Sequence, residues 1–117
     1  MTAIFLEDSF DSAHYLPNVQ PTHKCHELHG HTYRIRIEIT GEVGERTGWI
    51  MDYQTARNVW QHNVKQVLDH RLLNEIEGLQ NPTCELIAAW IAERLDFAGL
   101  VRIELRETEH CGVVYIP

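Results

Sequence analysis

From Tyr33 to Thr40 apolar and polar residues alternate without a break: Tyr33, Ile35, Ile37 and Ile39 against Arg34, Arg36, Glu38 and Thr40. A period of two marks a β-strand with one oily face and one charged face. Carried backwards, the same parity takes in His31 and His29, so two imidazoles share the oily side at the strand's entrance. Gly30 between them adds no side chain to crowd whatever the two rings hold. A third histidine, His14, closes an earlier extended stretch, residues 4–14, in which Phe10, Ser12 and His14 share one parity. Three neutral imidazoles are a known catalytic zinc set that leaves a fourth position open for water or substrate. Cys25, with three residues between it and His29, is close enough to overhang that position. It is then either a base beside the metal or the fourth ligand.

The rest of the chain alternates turns with short periodic runs. Pro17, Asn18 and Pro21 mark a loop, and residues 41–48 are a polar turn region. Asp52 is a good N-cap for a helix to about Leu68, with Tyr53, Ala56, Val59, Trp60, Val64 and Val67 as its apolar stripe. Asn81 or Thr83 caps a second helix over residues 83–95, whose buried side is Leu86, Ile87, Trp90, Ile91 and Leu95. Val101, Ile103 and Leu105 alternate with charged residues in a third strand that ends at Glu107, and residues 112–116 form a short fourth. The order ββααββ predicts a single α+β domain over residues 1–117, a four-stranded antiparallel sheet with two helices on one face. Its charged face and open edges suit either a monomer with a solvated outer face or a ring of subunits that closes the sheets into a barrel.

Composition narrows the function classes. An apolar fraction of 44% supports a real core, and no window approaches a membrane span. The start, Met1 to Asp8, turns acidic at once and lacks an apolar signal core, which points to the cytoplasm. Three cysteines are an odd number and too few for a disulfide scaffold, so reduced thiols are expected. A formal charge of -7 argues against nonspecific nucleic-acid binding. Among the eight histidines, His62 reads as filler inside a helix, and His23, His26 and His110 lie near candidate chemistry without an assigned role.

Five fragments now stand in order: Phe10-Asp11-Ser12-Ala13-His14, Cys25 with His29-Gly30-His31, Leu68-Asp69-His70, Asn81-Pro82-Thr83-Cys84-Glu85, and Glu107-Thr108. Together they resemble the 6-pyruvoyl-tetrahydropterin synthase and 6-carboxytetrahydropterin synthase family over essentially the whole chain. The spacing of Cys25 from the histidine pair is similar to that of the carboxy-forming bacterial branch; pyruvoyl-forming members usually have a longer gap. The resemblance implies the tunnelling fold, trimers that form a β-barrel, and a homohexamer of two stacked trimers with active sites between subunits.

It also implies roles. His14, His29 and His31 would hold Zn²⁺, and Cys25 would be the proton-abstracting base. Asp69 and His70 would assist it across a subunit boundary; without the resemblance they read as a helix-end cap. Glu107 would anchor the pterin ring, its two acceptor oxygens matching an amino group and a ring N–H. Thr83, Cys84 and Glu85 would add contacts to the ring, although relatives often carry serine or alanine where Cys84 stands. The implied reaction is a carbon–oxygen and carbon–carbon lyase step. It takes 7,8-dihydroneopterin triphosphate and water to 6-carboxy-5,6,7,8-tetrahydropterin, acetaldehyde and triphosphate, in queuosine (7-deazaguanine) biosynthesis. An anionic substrate needs local cations, for which Lys24, Arg34, Arg36 and Arg71 are candidates. Two other readings stand: a pyruvoyl-forming or sepiapterin-processing family member, and a non-catalytic zinc-binding module.

Overall fold

Five strands and two helical segments build the fold, and a computed structural model describes them over residues 1–117. The long strands β1 (Ala3–His14) and β2 (His29–Thr40) form an antiparallel pair running the length of the molecule. Twelve residues at about 3.3 Å each span roughly 40 Å, most of the 58 Å long axis of a molecule 24 and 22 Å across. A helical segment opens as α1 (Tyr53–Trp60), widens into a π-helical turn (Gln61–Lys65) and ends as α2 (Gln66–Leu68). A two-residue strand β3 (Arg71–Leu72) follows, then α3 (Cys84–Leu95), β4 (Leu100–Arg106) and β5 (Gly112–Tyr115). The sheet order is β3-β1-β2-β4-β5.

The sheet therefore has five strands and is mixed, where the sequence suggests four and antiparallel. β3 lies parallel to β1, pairing Arg71 with Ser12 and Leu72 with Ala13. The chain is laid there by its preceding corner: the His70 N–H donates to the Asp11 carbonyl at 2.6 Å, and the Asp11 N–H donates to Asp69 Oδ1 at 2.9 Å. Two residues are too few to display an alternation, so the strand leaves no periodic trace.

The oily faces of β1, β2 and β4 meet the helices. Phe10 stacks on Tyr33 at 5.0 Å between centroids and leans on Trp60, and Ile35, Ile37, Ile39, Ile103 and Leu105 continue the buried layer. The first helical segment buries Ala56, Trp60, Val64 and Leu68, a spacing of four throughout. In a regular α-helix that stripe would wind roughly 120° off the core over three steps. The wider π turn absorbs much of the drift. Asp52 caps α1, its side chain accepting from Gln54 N–H at 2.9 Å. Thr83 caps α3 in the same way, from Leu86 N–H at 3.2 Å. Gly99 permits the β2–β4 closure, because a Cβ there would stand 2.0 Å from the Thr40 carbonyl oxygen.

One charged group joins the layers. Asp8, on β1, accepts from Trp60 Nε1 at 2.7 Å and from Lys65 Nζ at 3.1 Å. Burial pushes its carboxyl up, but these donors and the Ser9 N–H outweigh that and hold it below the ordinary 3.8. Such a group stabilises the fold above its unfolded pKa and stops doing so as pH falls through its folded value. Asp8→Asn is expected to cost about 1 kcal/mol at pH 7. In urea titrations the gap between variant and wild type should close as the pH drops below 3.8.

Candidate metal centre

The β1–β2 register sets His14 opposite His29 and Ser12 opposite His31, so the three histidines gather at one end of the oily face. Their ring centroids stand 4.5, 5.1 and 4.9 Å apart, each pair edge to face. Glu107, just past β4, joins them: its Oε1 is 2.8 Å from His31 Nε2 and 3.6 Å from His14 Nε2. One donor atom from each of these four residues lies within 4.8 Å of every other.

Hydrogen bonding fixes which ring nitrogens face inward. His14 Nδ1–H donates to the Pro82 carbonyl at 2.9 Å, and His29 Nδ1–H donates to the Glu27 carbonyl at 2.7 Å. A carbonyl only accepts, so in each neutral ring the hydrogen is on Nδ1 and Nε2 presents a lone pair. Backbone carbonyls are common partners for metal-binding histidines and fix the ring in this way. The 3.0 Å approach of His14 Nε2 to His29 Nε2 is then a meeting of two lone pairs, not a hydrogen bond between neutral rings. His31 Nε2 is buried with no hydrogen-bond partner. Glu107 is within reach of it but not aligned as its acceptor. Atoms aimed at a shared third point stand like this. Donors about 2.0 to 2.1 Å from a tetrahedral centre would be roughly 3.3 Å apart, close to the distances seen. The set could hold a divalent ion.

The electrostatics agree. Burial lowers the His31 pKa, overcoming the opposing charge of Glu107, and favours the neutral ring a metal needs. Whenever the rings carry protons on their inward nitrogens, His14 first and then the charge of all three hold the Glu107 carboxyl below the usual range despite burial. Tyr33 floors the site, its hydroxyl 3.3 Å from His14 Nδ1, and burial pushes its phenol far up, so it stays protonated.

Gly30 is placed differently from the expectation. It alternates onto the opposite face of β2 from the two imidazoles, where an added Cβ would meet only the Ser12 carbonyl oxygen at 3.4 Å. An open groove of ≈ 640 Å³ runs past Asp11, Gly30, His31, Thr32, His70 and Arg71.

The other expected site residues fall into three places. Cys25 is a half-buried free thiol on a 3₁₀ turn (Lys24–His26) that leads into β2, and it is not among the four gathered donors. Its N–H donates to His23 Nδ1 at 3.0 Å and its carbonyl accepts from Leu16 N–H at 2.9 Å, so the turn is held at both sides. Asp69 and His70 form the corner after α2. His70 has φ +58°, a left-handed backbone rare outside glycine, and this brings its Nδ1 to 3.1 Å from Asp69 Oδ2. The Asp11 N–H, against some burial and with help from His70, holds the Asp69 carboxyl below its usual range. The His70 side chain is 79% exposed and opens outward. Thr83 and Cys84 begin α3 and Glu85 is in its first turn, exposed. Cys84 is buried in the core with Sγ 3.5 Å from the Leu105 carbonyl oxygen, and burial, then Glu107 and Glu85, push its thiol up to about 12. Burial therefore keeps it a thiol.

Some working residues escape sequence reasoning. The Pro82 and Glu27 carbonyls act through the backbone and leave no side-chain signal. Asp11 and Ser12 hold the corner: Thr32 Oγ1 donates to Asp11 Oδ1 at 2.5 Å and Ser12 Oγ donates to the Leu68 carbonyl at 2.6 Å. Their trace in the chain is the fragment Phe10-Asp11-Ser12-Ala13-His14, which carries the resemblance but not these bonds.

The family profile of 6-pyruvoyl tetrahydropterin synthase matches residues 3–117. The chain belongs to this family. It is 40% identical to the 6-carboxy-5,6,7,8-tetrahydropterin synthase of Synechocystis sp., across 92% of this chain and 88% of the relative. It is also 40% identical to the dihydroneopterin monophosphate aldolase of Pyrococcus furiosus, across 94% and 93%. Among solved structures, the 6-pyruvoyl tetrahydropterin synthase of Caenorhabditis elegans superimposes with a TM-score of 0.87 at 25% identity, over 100% of this chain and 97% of the other. No helix in the chain is long and apolar enough to cross a membrane.

Adding Zn²⁺ to metal-stripped protein should raise its melting temperature, since a ligand bound only by the folded state stabilises it. His29→Ala should lose most of that rise. Differential scanning calorimetry with and without the metal reads both.

Proposed function

We propose that the chain is a 6-carboxy-5,6,7,8-tetrahydropterin synthase. It would convert 7,8-dihydroneopterin triphosphate and water to 6-carboxy-5,6,7,8-tetrahydropterin, acetaldehyde and triphosphate, a step of queuosine (7-deazaguanine) biosynthesis in the cytoplasm. The observation that carries this reading is the inward convergence of His14, His29 and His31, with Cys25 on the adjoining turn outside the group.

The three histidines would hold Zn²⁺, which when bound would supply the Lewis acidity that lowers the pKa of the side-chain hydroxyls of the substrate. Cys25 takes a proton from a side-chain carbon. His70 would accept that proton at Nε2, its Nδ1–H being donated to the ionised Asp69, and return it to the pterin as the ring is reduced. Glu107 accepts from the amino group and ring N–H of the pterin, and Thr83, Cys84 and Glu85 at the start of α3 add contacts to the ring. The ring is reduced as its side chain is oxidised, so no redox cofactor enters. Arg71, in the groove with His31 and His70, and Lys24, next to Cys25, are the cations for the triphosphate. Arg36 is engaged elsewhere, stacked on Phe5 and paired with Glu38.

The working form is a homohexamer, a dimer of trimers. β1 is paired on its outer edge only at Ser12 and Ala13, and β5 has a free edge, so copies can add strand to strand. The outward opening of His70 suits action in a neighbouring copy.

The similarity to the aldolase favours one alternative, a cleavage of dihydroneopterin monophosphate by the same site. Incubating zinc-loaded protein separately with the triphosphate and the monophosphate, then identifying products by mass, separates the two. Acetaldehyde with 6-carboxy-5,6,7,8-tetrahydropterin from the triphosphate is the expected result. Cys25→Ala should lower turnover by at least about a hundredfold while retaining its zinc; loss of zinc would assign the thiol to the metal instead.

A further inference from the structure

Glu107 is asked to do two things with one carboxylate. As the pterin anchor it needs both oxygens free for two donors on the ring. In the structure its Oε1 is turned to the histidines, 2.8 Å from His31 Nε2, with that nitrogen left without a hydrogen-bond partner. It completes a set of four donors, three nitrogens and one oxygen, mutually within 4.8 Å. Its Oε1 lies among the inward nitrogens, 2.8 Å from His31 Nε2 and 3.6 Å from His14 Nε2.

We propose that Glu107 is the fourth ligand of the metal in the substrate-free enzyme and is drawn off it when a pterin ring claims the carboxylate, so that the ring itself opens the coordination position its side chain then uses. The inference rests on the reading of Glu107 as the pterin anchor.

Two physical consequences follow. Three neutral imidazoles and a carboxylate leave a divalent ion with one net charge; removal of the carboxylate restores two. Full Lewis acidity is thereby confined to the complex that contains substrate. Second, metal and pterin compete for one group, and coupling between two ligands is reciprocal. The bare ring should bind metal-free protein more tightly than loaded protein.

The test uses the full chain and two probes, Co²⁺ in place of zinc and pterin unsubstituted at C6, which has no side-chain hydroxyls. Chelator competition is expected to give Glu107→Ala and Glu107→Gln a metal affinity lower by more than about tenfold, a loss that even an outer-shell partner can cause. Unchanged affinity in both folded variants would overturn the ligation. The visible bands of the Co²⁺ protein should shift when pterin is added to wild type, and pterin fluorescence should report tighter binding without metal. Pterin that binds equally in both states with unshifted bands would overturn the exchange and leave the anchor standing. Pterin that binds wild type in neither state would overturn the anchor, and the exchange with it.

Discussion

The pairing of β1 with β2 is the constraint from which the rest is built. Because the register is Phe10 to Tyr33, Ser12 to His31 and His14 to His29, the strands that form the core also deliver the imidazoles. A slip of one residue would turn every side chain on one strand to the other face, and Phe10 stacked on Tyr33 beneath Trp60 resists it. The same oily packing thus holds the fold and places the histidines, and the Pro82 and Glu27 carbonyls then set two of the rings.

Around that pair, polarity is spent sparingly and where it positions something. Ser12 lies between His14 and the helix end at Leu68, and it is one of two polar residues buried in the chain. Asp11, one residue earlier and facing outward, exchanges two backbone bonds with the Asp69–His70 corner. A single run of four residues therefore fixes a histidine of the candidate metal centre and the proposed proton relay. The left-handed backbone at His70 costs of order 1 kcal/mol, and Asp11 and Asp69 are the groups that hold it there.

How much could be read from the chain depended on how local the cause was. The helix at Cys84–Leu95 was legible because its cap, Thr83, and most of its apolar stripe are adjacent in sequence, although Leu86, expected on the buried side, is exposed. The parity of His14, His29 and His31 was legible because alternation in a strand is local, and the fragments around them carried the family. Arg71–Leu72 was not, since its pairing depends on a corner held by residues nearly sixty positions away. Gly30 was misjudged by attending to its neighbours in sequence instead of the face it occupies. The turn of Glu107 toward the imidazoles is a side-chain orientation, and its partners come from two other strands. Nothing near Glu107 in the chain encodes it.

The wide turn at Gln61–Lys65 bears on how this family can vary in length. A π turn holds one residue more than the α turn it replaces. Losing one there would tighten the turn and leave Leu68, Asp69 and His70 near where they stand. The same loss inside Tyr53–Trp60 would rotate everything beyond it by about 100° and carry the corner away from Asp11. Single-residue deletions should accordingly be tolerated in this stretch of relatives and be rare on either side of it.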